Sequence, residues 1–257
     1  MHSIFGTKHL ILVALSAILI IVLFLLSRKL RFQTVCKLML YVGIVSETIK
    51  IFYYIIRNEA THGGILPKTD LPFHLCSIQI LFILAVNLTK SEKIKRFFLS
   101  FMYPSCLLGG IAAIFLATNS SLNGAWIITA QYFLYHIAIV VLALNICTNK
   151  ELKLTINDYF SCLKFLVVLF FFATYINSIV YDGVSNINFM YVASPPQNGL
   201  PFLTEKYGWS VYIAHYASLV LFCVTACYAK PIIVAIKEKL ALKKNSTASA
   251  DETPVLE

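Results

Sequence analysis

The sequence has few charged residues: Asp, Glu, Lys and Arg make up only 13% of its 257 positions. An ordinary soluble domain has about 25%, because its surface must be wetted by water. Apolar residues make up 59% of the chain, and its mean hydropathy is +0.78. This composition excludes a water-soluble globular domain and indicates an integral membrane protein.

The seven cysteines are an odd number, and they do not have the spacing of metal ligands. Free cysteine in an apolar run behaves as a small buried hydrophobe, which is the interpretation we give to Cys36, Cys106, Cys147, Cys162, Cys223 and Cys227. The net charge of +9 could suit nucleic acid, but the basic residues lie in short clusters between apolar runs. We therefore expect no metal, no cofactor and no nucleic-acid partner.

The chain does contain apolar runs that are long enough to cross a bilayer, which takes about 20 residues. Pro72 opens the third run, since proline is tolerated in a first helical turn. The predicted fold is all-α, a polytopic transmembrane helix bundle in one domain (1–240), followed by a polar, disordered cytoplasmic tail (241–257). The seven predicted spans are residues 9–27, 38–57, 71–89, 97–117, 126–147, 159–181 and 209–229.

Basic residues follow every second run. Arg28, Arg96, Lys150 and Lys237 belong to clusters after the first, third, fifth and seventh runs. Because cytoplasmic loops carry the excess of Lys and Arg, this predicts a multi-pass protein of the cell membrane with its N-terminus outside and its C-terminus in the cytoplasm.

Ionisable and amide side chains interrupt the apolar runs, where each needs a partner or a role. Glu47 and Lys50 are three residues apart, close enough on a helix to pair. The pair either stabilises packing or lets Glu47 orient another residue. By a rise of about 1.5 Å per residue, the polar residues of five runs fall in the outer half of the membrane, which predicts an outward-opening polar cavity. Helix–helix hydrogen bonding is the alternative role for each of them singly.

One long connection, residues 182–208, precedes the seventh run and is rich in Asn, Pro and Tyr. It is either an interfacial loop with aromatic anchors or a lid over the cavity.

Several short motifs occur in a set order. They are Phe5-Gly6-Thr7-Lys8-His9-Leu10, Glu47, Leu71-Pro72-Phe73-His74-Leu75-Cys76, Gly109-Gly110, His136, Asn177, Asn188-Phe189 and Trp209 with Tyr212. This order, over nearly the whole chain, resembles that of the YwaF-type bacterial integral membrane proteins. The Leu-Pro-x-His-Leu-Cys element is its most specific part.

That family is similar to a vertebrate membrane family of cysteine–histidine acyltransferases that act on ether phospholipids. The resemblance implies that His136 is a base and that a cysteine at the start of the third run is the nucleophile, with membrane phospholipids as partners. The relatives' cysteine is expected at the position of Phe73, so Cys76 is the candidate here. The predicted catalytic residues are His136 and Cys76, and the predicted substrate-binding residues are His74, Glu47, Gln79, Gln131, Asn177 and Asn188.

Two functions therefore compete. A phospholipid acyltransferase or lipid hydrolase would use a Cys76 thioester and proton transfer by His136. A transporter or lipid-binding protein would use the same cavity without covalent chemistry, with Glu47 and Lys50 as a gate or proton relay. A retinal photoreceptor is excluded, because no lysine lies in the middle of the last run.

Overall fold

The computed structural model describes residues 5–57, 66–117, 119–184, 187–196 and 203–251. Within these ranges the chain forms helices and contains no strand, which confirms the predicted all-α class. The helices are α1 (Thr7–Ser27), α2 (Phe32–Arg57), α3 (Leu75–Leu88), α4 (Glu92–Phe115), α5 (Asn119–Asn123), α6 (Trp126–Thr148), α7 (Ile156–Val180), α8 (Trp209–Cys227) and α9 (Ala229–Asp251). Two single 3-10 turns, Lys68–Asp70 and Phe189–Tyr191, lie in the connections.

Five of these helices are long and apolar enough to cross a membrane: α1, α4, α6, α7 and α8. α3 has only 14 residues, about 21 Å at 1.5 Å per residue. α2 has 26 residues but carries Lys37, Glu47 and Lys50 within its length. The structure thus supports a multi-pass helical protein and five of the seven predicted spans.

The core lies where α4 crosses α6, and α1, α2, α3 and α7 pack around that pair. Gly110 permits the close approach, because a Cβ there would lie 2.5 Å from Val140 Cγ2. On α1, the residues Ile11, Leu15, Ile18 and Val22 are exposed along one stripe. This stripe is the pattern of a lipid-facing helix.

The third predicted span starts too early. α3 begins at Leu75, and Pro72 lies ahead of it instead of in its first turn. A residue before proline is driven out of the helical conformation, and Leu71 is indeed extended, with ψ 148°. The Phe73 N–H then donates to the Leu71 carbonyl at 2.8 Å, which leaves His74 as the N-cap residue.

The helix ends divide between two faces of the bundle. At the face we call the site end, α2, α4 and α7 end while α3, α6 and α8 begin. At the opposite tail end, Arg96 binds the buried carboxylate of Asp158 through two hydrogen bonds of 2.6 Å. α9 continues to Asp251, beyond residue 241, where the predicted tail starts.

The cysteines are not all buried. Cys36, Cys106 and Cys162 lie in the core, as predicted, and Cys223 and Cys227 are half-buried. The prediction is wrong for Cys147, which is exposed near the C-terminal end of α6. The apolar residues around Cys147 in the sequence are compatible with both a buried position and a lipid-facing position, and sequence alone does not distinguish these positions.

Candidate functional site

Cys76 lies in the first turn of α3 at the site end and is half-buried. The Tyr135 hydroxyl on α6 donates to its backbone carbonyl at 2.7 Å. The Tyr132 phenol, one turn earlier on α6, lies within electrostatic range of the Cys76 thiol, as does Cys106 on α4. The start of α3 is therefore fixed against α6 beside this cysteine.

His136 is buried on α6, and the rings of both tyrosines lie close to its imidazole. Its Nδ1 lies 2.6 Å from the Tyr132 carbonyl, and the Tyr132 ring centre is 4.3 Å from the imidazole centre. Because a carbonyl only accepts, Nδ1 carries the proton in neutral His136, and the lone pair is on Nε2. No residue in the described ranges forms a hydrogen bond with Nε2. This is the tautomer that a base needs.

His9 differs from His136 in the hydrogen bonds of its ring nitrogens. Its Nε2 lies 2.9 Å from the Ile114 carbonyl, and its Nδ1 accepts from the Phe5 N–H at 3.0 Å. Both ring nitrogens are occupied by backbone groups, so this fully buried imidazole fixes the start of α1 and has no free nitrogen for chemistry.

The two predicted catalytic residues share a neighbourhood without contact. Tyr132 and Tyr135 flank His136 and both approach Cys76, yet no hydrogen bond joins the thiol to the imidazole. The structure thus brings Cys76 and His136 to the same side of α6 without forming a preassembled thiolate–imidazolium pair.

A mixed-charge cluster lies at the same end, between α2 and the turn before α3. Lys50 Nζ is 2.6 Å from Glu47 Oε1, with side chains 14% and 20% exposed, which confirms the predicted pairing. Asp70 and His74 both lie within electrostatic range of Lys50. Burial raises the pKa of Asp70 above its usual 3.8, although nearby Lys50 opposes the shift. The Lys50 ammonium group therefore interacts electrostatically with the carboxylates of both Glu47 and Asp70.

His74 and the two predicted glutamines have structural partners. His74 Nε2 donates to the Thr69 carbonyl at 2.9 Å. Gln131 on α6 donates to Ser46 Oγ on α2 at 2.6 Å, and Gln79 on α3 donates to Ser105 Oγ on α4 at 3.0 Å. The two glutamine contacts are the helix–helix hydrogen bonds that were the alternative role for such residues, and the His74 contact lies within the connection before α3.

Two buried side-chain oxygen atoms in the described ranges accept no hydrogen bond: Glu47 Oε1 and Gln79 Oε1. The Lys50 ammonium is close to Glu47 Oε1, but the contact lacks hydrogen-bond geometry. Because an unmet buried acceptor costs about 1–3 kcal/mol, Gln79 Oε1 is a position where a ligand hydroxyl or ammonium group would be favourable, whereas Glu47 Oε1 already has the Lys50 ammonium beside it.

The predicted asparagines organise the connection before α8. Asn177 near the end of α7 holds both backbone groups of Phe189, donating to its carbonyl at 3.1 Å and accepting from its N–H at 2.8 Å. Asn188 closes the next turn by accepting from the Ala193 N–H and donating to the Ser194 carbonyl. Both residues therefore shape backbone instead of presenting free polar groups.

Sequence reasoning missed Tyr132, Tyr135 and Asp70. The tyrosines stand one and four residues from His136 in an apolar run, where aromatic side chains are unremarkable. Asp70 precedes Leu71-Pro72, and its position opposite Lys50 follows only from the fold. The available signal was the i, i+3 spacing of the two tyrosines, which places both hydroxyls on one face of α6.

Comparison with known proteins gives one family. The model described as the TMEM164 family matches residues 4–228. No curated protein matches the chain, and no solved structure does.

Proposed function

Because the chain belongs to the TMEM164 family, we propose that it is a multi-pass protein of the cell membrane that acts on phospholipids as an acyltransferase. Cys76 is the nucleophile and His136 the base, and the polar residues of α2, α3 and α6 line an outward-opening cavity. The observation that carries the proposal is the tautomer of His136. Its Nδ1 is bound to the Tyr132 carbonyl, its Nε2 has no hydrogen-bond partner among the described residues, and the residue before it, Tyr135, binds the Cys76 carbonyl.

The chemistry divides into two balanced halves. The Cys76 Sγ attacks the ester carbonyl of a donor phospholipid, forms a thioester and breaks the bond to the glycerol oxygen. The thiol proton passes through His136 Nε2 to that leaving oxygen. A lysophospholipid hydroxyl then attacks the thioester, and its proton returns to Sγ by the same route.

The Cys76 thiol and the His136 imidazole are not hydrogen-bonded to each other, so this mechanism needs another route for the proton between them. The two groups have to exchange the proton through the substrate oxygen or after a change in side-chain positions. Catalytic hydrogen bonds commonly tighten only in the substrate complex. Phe73, at the position where the relatives' cysteine is expected, packs its ring 5.5 Å from that of Phe189 and takes no part in the chemistry.

A lipid-binding protein or transporter is the second candidate, and the charged cluster favours it. Glu47, Lys50 and Asp70 form a half-buried charged cluster that a purely covalent mechanism at Cys76 does not need. Ionisable groups inside membrane helices are typical of ion and proton pathways.

The proposed topology has seven crossings, with the N-terminus outside and the tail in the cytoplasm. α2 and α3 are the remaining two crossings. Their polar groups form hydrogen bonds with neighbouring helices, Ser46 of α2 with Gln131 of α6 and Gln79 of α3 with Ser105 of α4. A reporter fused after Arg96 should be cytoplasmic, and a tag inserted at Gly183 should be accessible from outside. Finding both on one side would exclude this arrangement.

Lipid analysis of cells that lack the gene tests the function. Restoring the wild-type gene should shift the acyl chains of a phospholipid class, and Cys76→Ala or His136→Ala should not restore the shift. Cys162→Ala, which removes a buried cysteine at the tail end, is the matched control and should behave as wild type. A Cys76→Ala protein that is folded and fully restores the shift would exclude the thioester mechanism and favour binding or transport.

A further inference from the structure

Residues 187–196, which we call the lid segment, fold back into the bundle instead of lying along its surface. Ile187, Phe189, Met190 and Val192 are all buried, and Phe189 is only 1% exposed. An interfacial anchor would leave its apolar side chains toward lipid or water. The lid segment therefore packs as part of the core although it belongs to a connection.

Its inner surface covers the start of α3. The Phe189 ring centre lies 4.9 Å from that of His74 and 5.5 Å from that of Phe73. Burial raises the pKa of the Tyr191 phenol, and the nearby Cys76 thiolate raises it further, which places this side chain close to the candidate nucleophile. The lid segment therefore lies against the first turn of α3, which carries Cys76.

Polar side chains of α7 and α8 hold the segment by its backbone. Asn177 binds both groups of Phe189, as described above. The Tyr212 hydroxyl shares its one proton between the Tyr191 and Ser194 carbonyls, and the Tyr216 hydroxyl donates to the Met190 carbonyl. Hydrogen bonds of this kind can be released one by one without taking apart a helix.

Two consecutive residues of the segment have a strained backbone. Met190 and Tyr191 have φ of 57° and 54°, in the left-handed region that residues with side chains seldom adopt. Such outliers persist only when surrounding contacts impose them, and they concentrate in clamps and switches. Loss of the hydrogen bonds from α7 and α8 would let this segment relax away from α3.

We propose that the lid segment is a gate that is closed in this structure by Asn177 and Tyr212, and that its displacement exposes Cys76 to lipid substrate. The purpose of the gate rests on the function proposed above, but the opening itself does not. An acyl chain entering the site would take the space that Phe189 fills against Phe73 and His74.

The test is the rate at which a small thiol reagent modifies Cys76 in the full-length purified protein, followed by peptide mass spectrometry. Tyr212→Phe removes one hydroxyl and Asn177→Ala removes the two hydrogen bonds to Phe189. Loss of one or two buried hydrogen bonds should raise the Cys76 rate several-fold in the first variant and roughly tenfold in the second. Cys162, buried at the tail end, reports global unfolding and should stay unmodified.

Matched controls remove the same groups at the tail end. Tyr103→Phe deletes a hydroxyl that binds the Cys227 carbonyl, and Asn145→Ala deletes an amide that binds Ser27 Oγ. Both should leave the Cys76 rate within about twofold of wild type, since neither touches the lid segment. Equal Cys76 rates in lid and control variants would overturn the gate, and so would a parallel rise at Cys162.

The two proposals can fail separately. Modification of Cys76 needs no turnover, so a faster rate in Tyr212→Phe combined with no Cys76-dependent lipid shift would retain the gate and reject the acyltransferase. Unchanged rates with a clear Cys76-dependent lipid shift would do the reverse.

Discussion

A Cβ placed on Gly110 of α4 would lie 3.2 Å from the backbone oxygen of His136 on α6 and 2.5 Å from Val140 Cγ2. Gly109, its neighbour, would bring a Cβ no closer than 3.4 Å to the end of the Leu75 side chain, which is ordinary contact. The two glycines thus differ sharply, although they are adjacent in sequence. Only Gly110 sets how closely α4 approaches the turn of α6 that carries His136.

Gly110→Ala should therefore destabilise the protein by about 1–3 kcal/mol, as overpacking does. Gly109→Ala should be neutral or stabilising by up to about 1 kcal/mol, because alanine is the better helix former. Thermal unfolding of both variants in the same detergent measures the difference. A Gly110→Ala protein as stable as Gly109→Ala would show that the α4–α6 contact is looser than described.

The pair of Glu47 and Lys50 gives a second prediction. Lys50→Met should destabilise the protein by about 1–3 kcal/mol, between the values for exposed and buried pairs, because it leaves Glu47 and Asp70 without their shared cation. Glu47→Leu combined with Lys50→Met should recover only part of the loss, since Asp70 still lacks a partner. Adding Asp70→Asn should recover more.

Melting temperatures of the single, double and triple variants test this order. Full recovery in the double variant would remove Asp70 from the network. No recovery in any combination would instead favour a functional reason for the charges.

Asp70 also predicts a pH dependence. Because burial raises its pKa in the folded protein, Asp70 binds its proton more tightly when folded than when unfolded. Its contribution to stability is full below pH 3.8, the ordinary value, and is lost as the pH rises through the raised pKa. Asp70→Asn keeps the size of the side chain and cannot ionise, so its stability should fall less than that of wild type over this window.

Melts of wild type and Asp70→Asn at a series of pH values measure the effect. Parallel curves would show that Asp70 is solvated in the folded protein.

Features set by neighbours along the chain were predictable from sequence. The helical class follows from long apolar runs, and the Glu47–Lys50 contact follows from a spacing of three on one helix. The start of α3 was misplaced, because proline at position 72 fits either the first turn of a helix or the extended segment before one. Only the extended Leu71 decides between them.

The lid segment was not predictable beyond its length. Met190 and Tyr191 adopt left-handed backbone without the glycine or asparagine that usually marks it. Asn177 looked like a polar residue facing a cavity, but its amide is used by Phe189, twelve residues later in the chain. Contacts of this kind depend on how α7 and α8 place the connection between them, which no local pattern encodes.

The most direct test of the central proposal is detection of an acyl group on Cys76. Wild-type protein in vesicles of phosphatidylcholine or phosphatidylethanolamine, without lysolipid acceptor, should accumulate a hydroxylamine-sensitive acyl adduct on the peptide that carries Cys76. The adduct should be missing from the Cys162 peptide and strongly reduced in His136→Ala, which lacks the base. A Cys76 that stays unmodified in folded wild-type protein under these conditions would contradict the thioester mechanism.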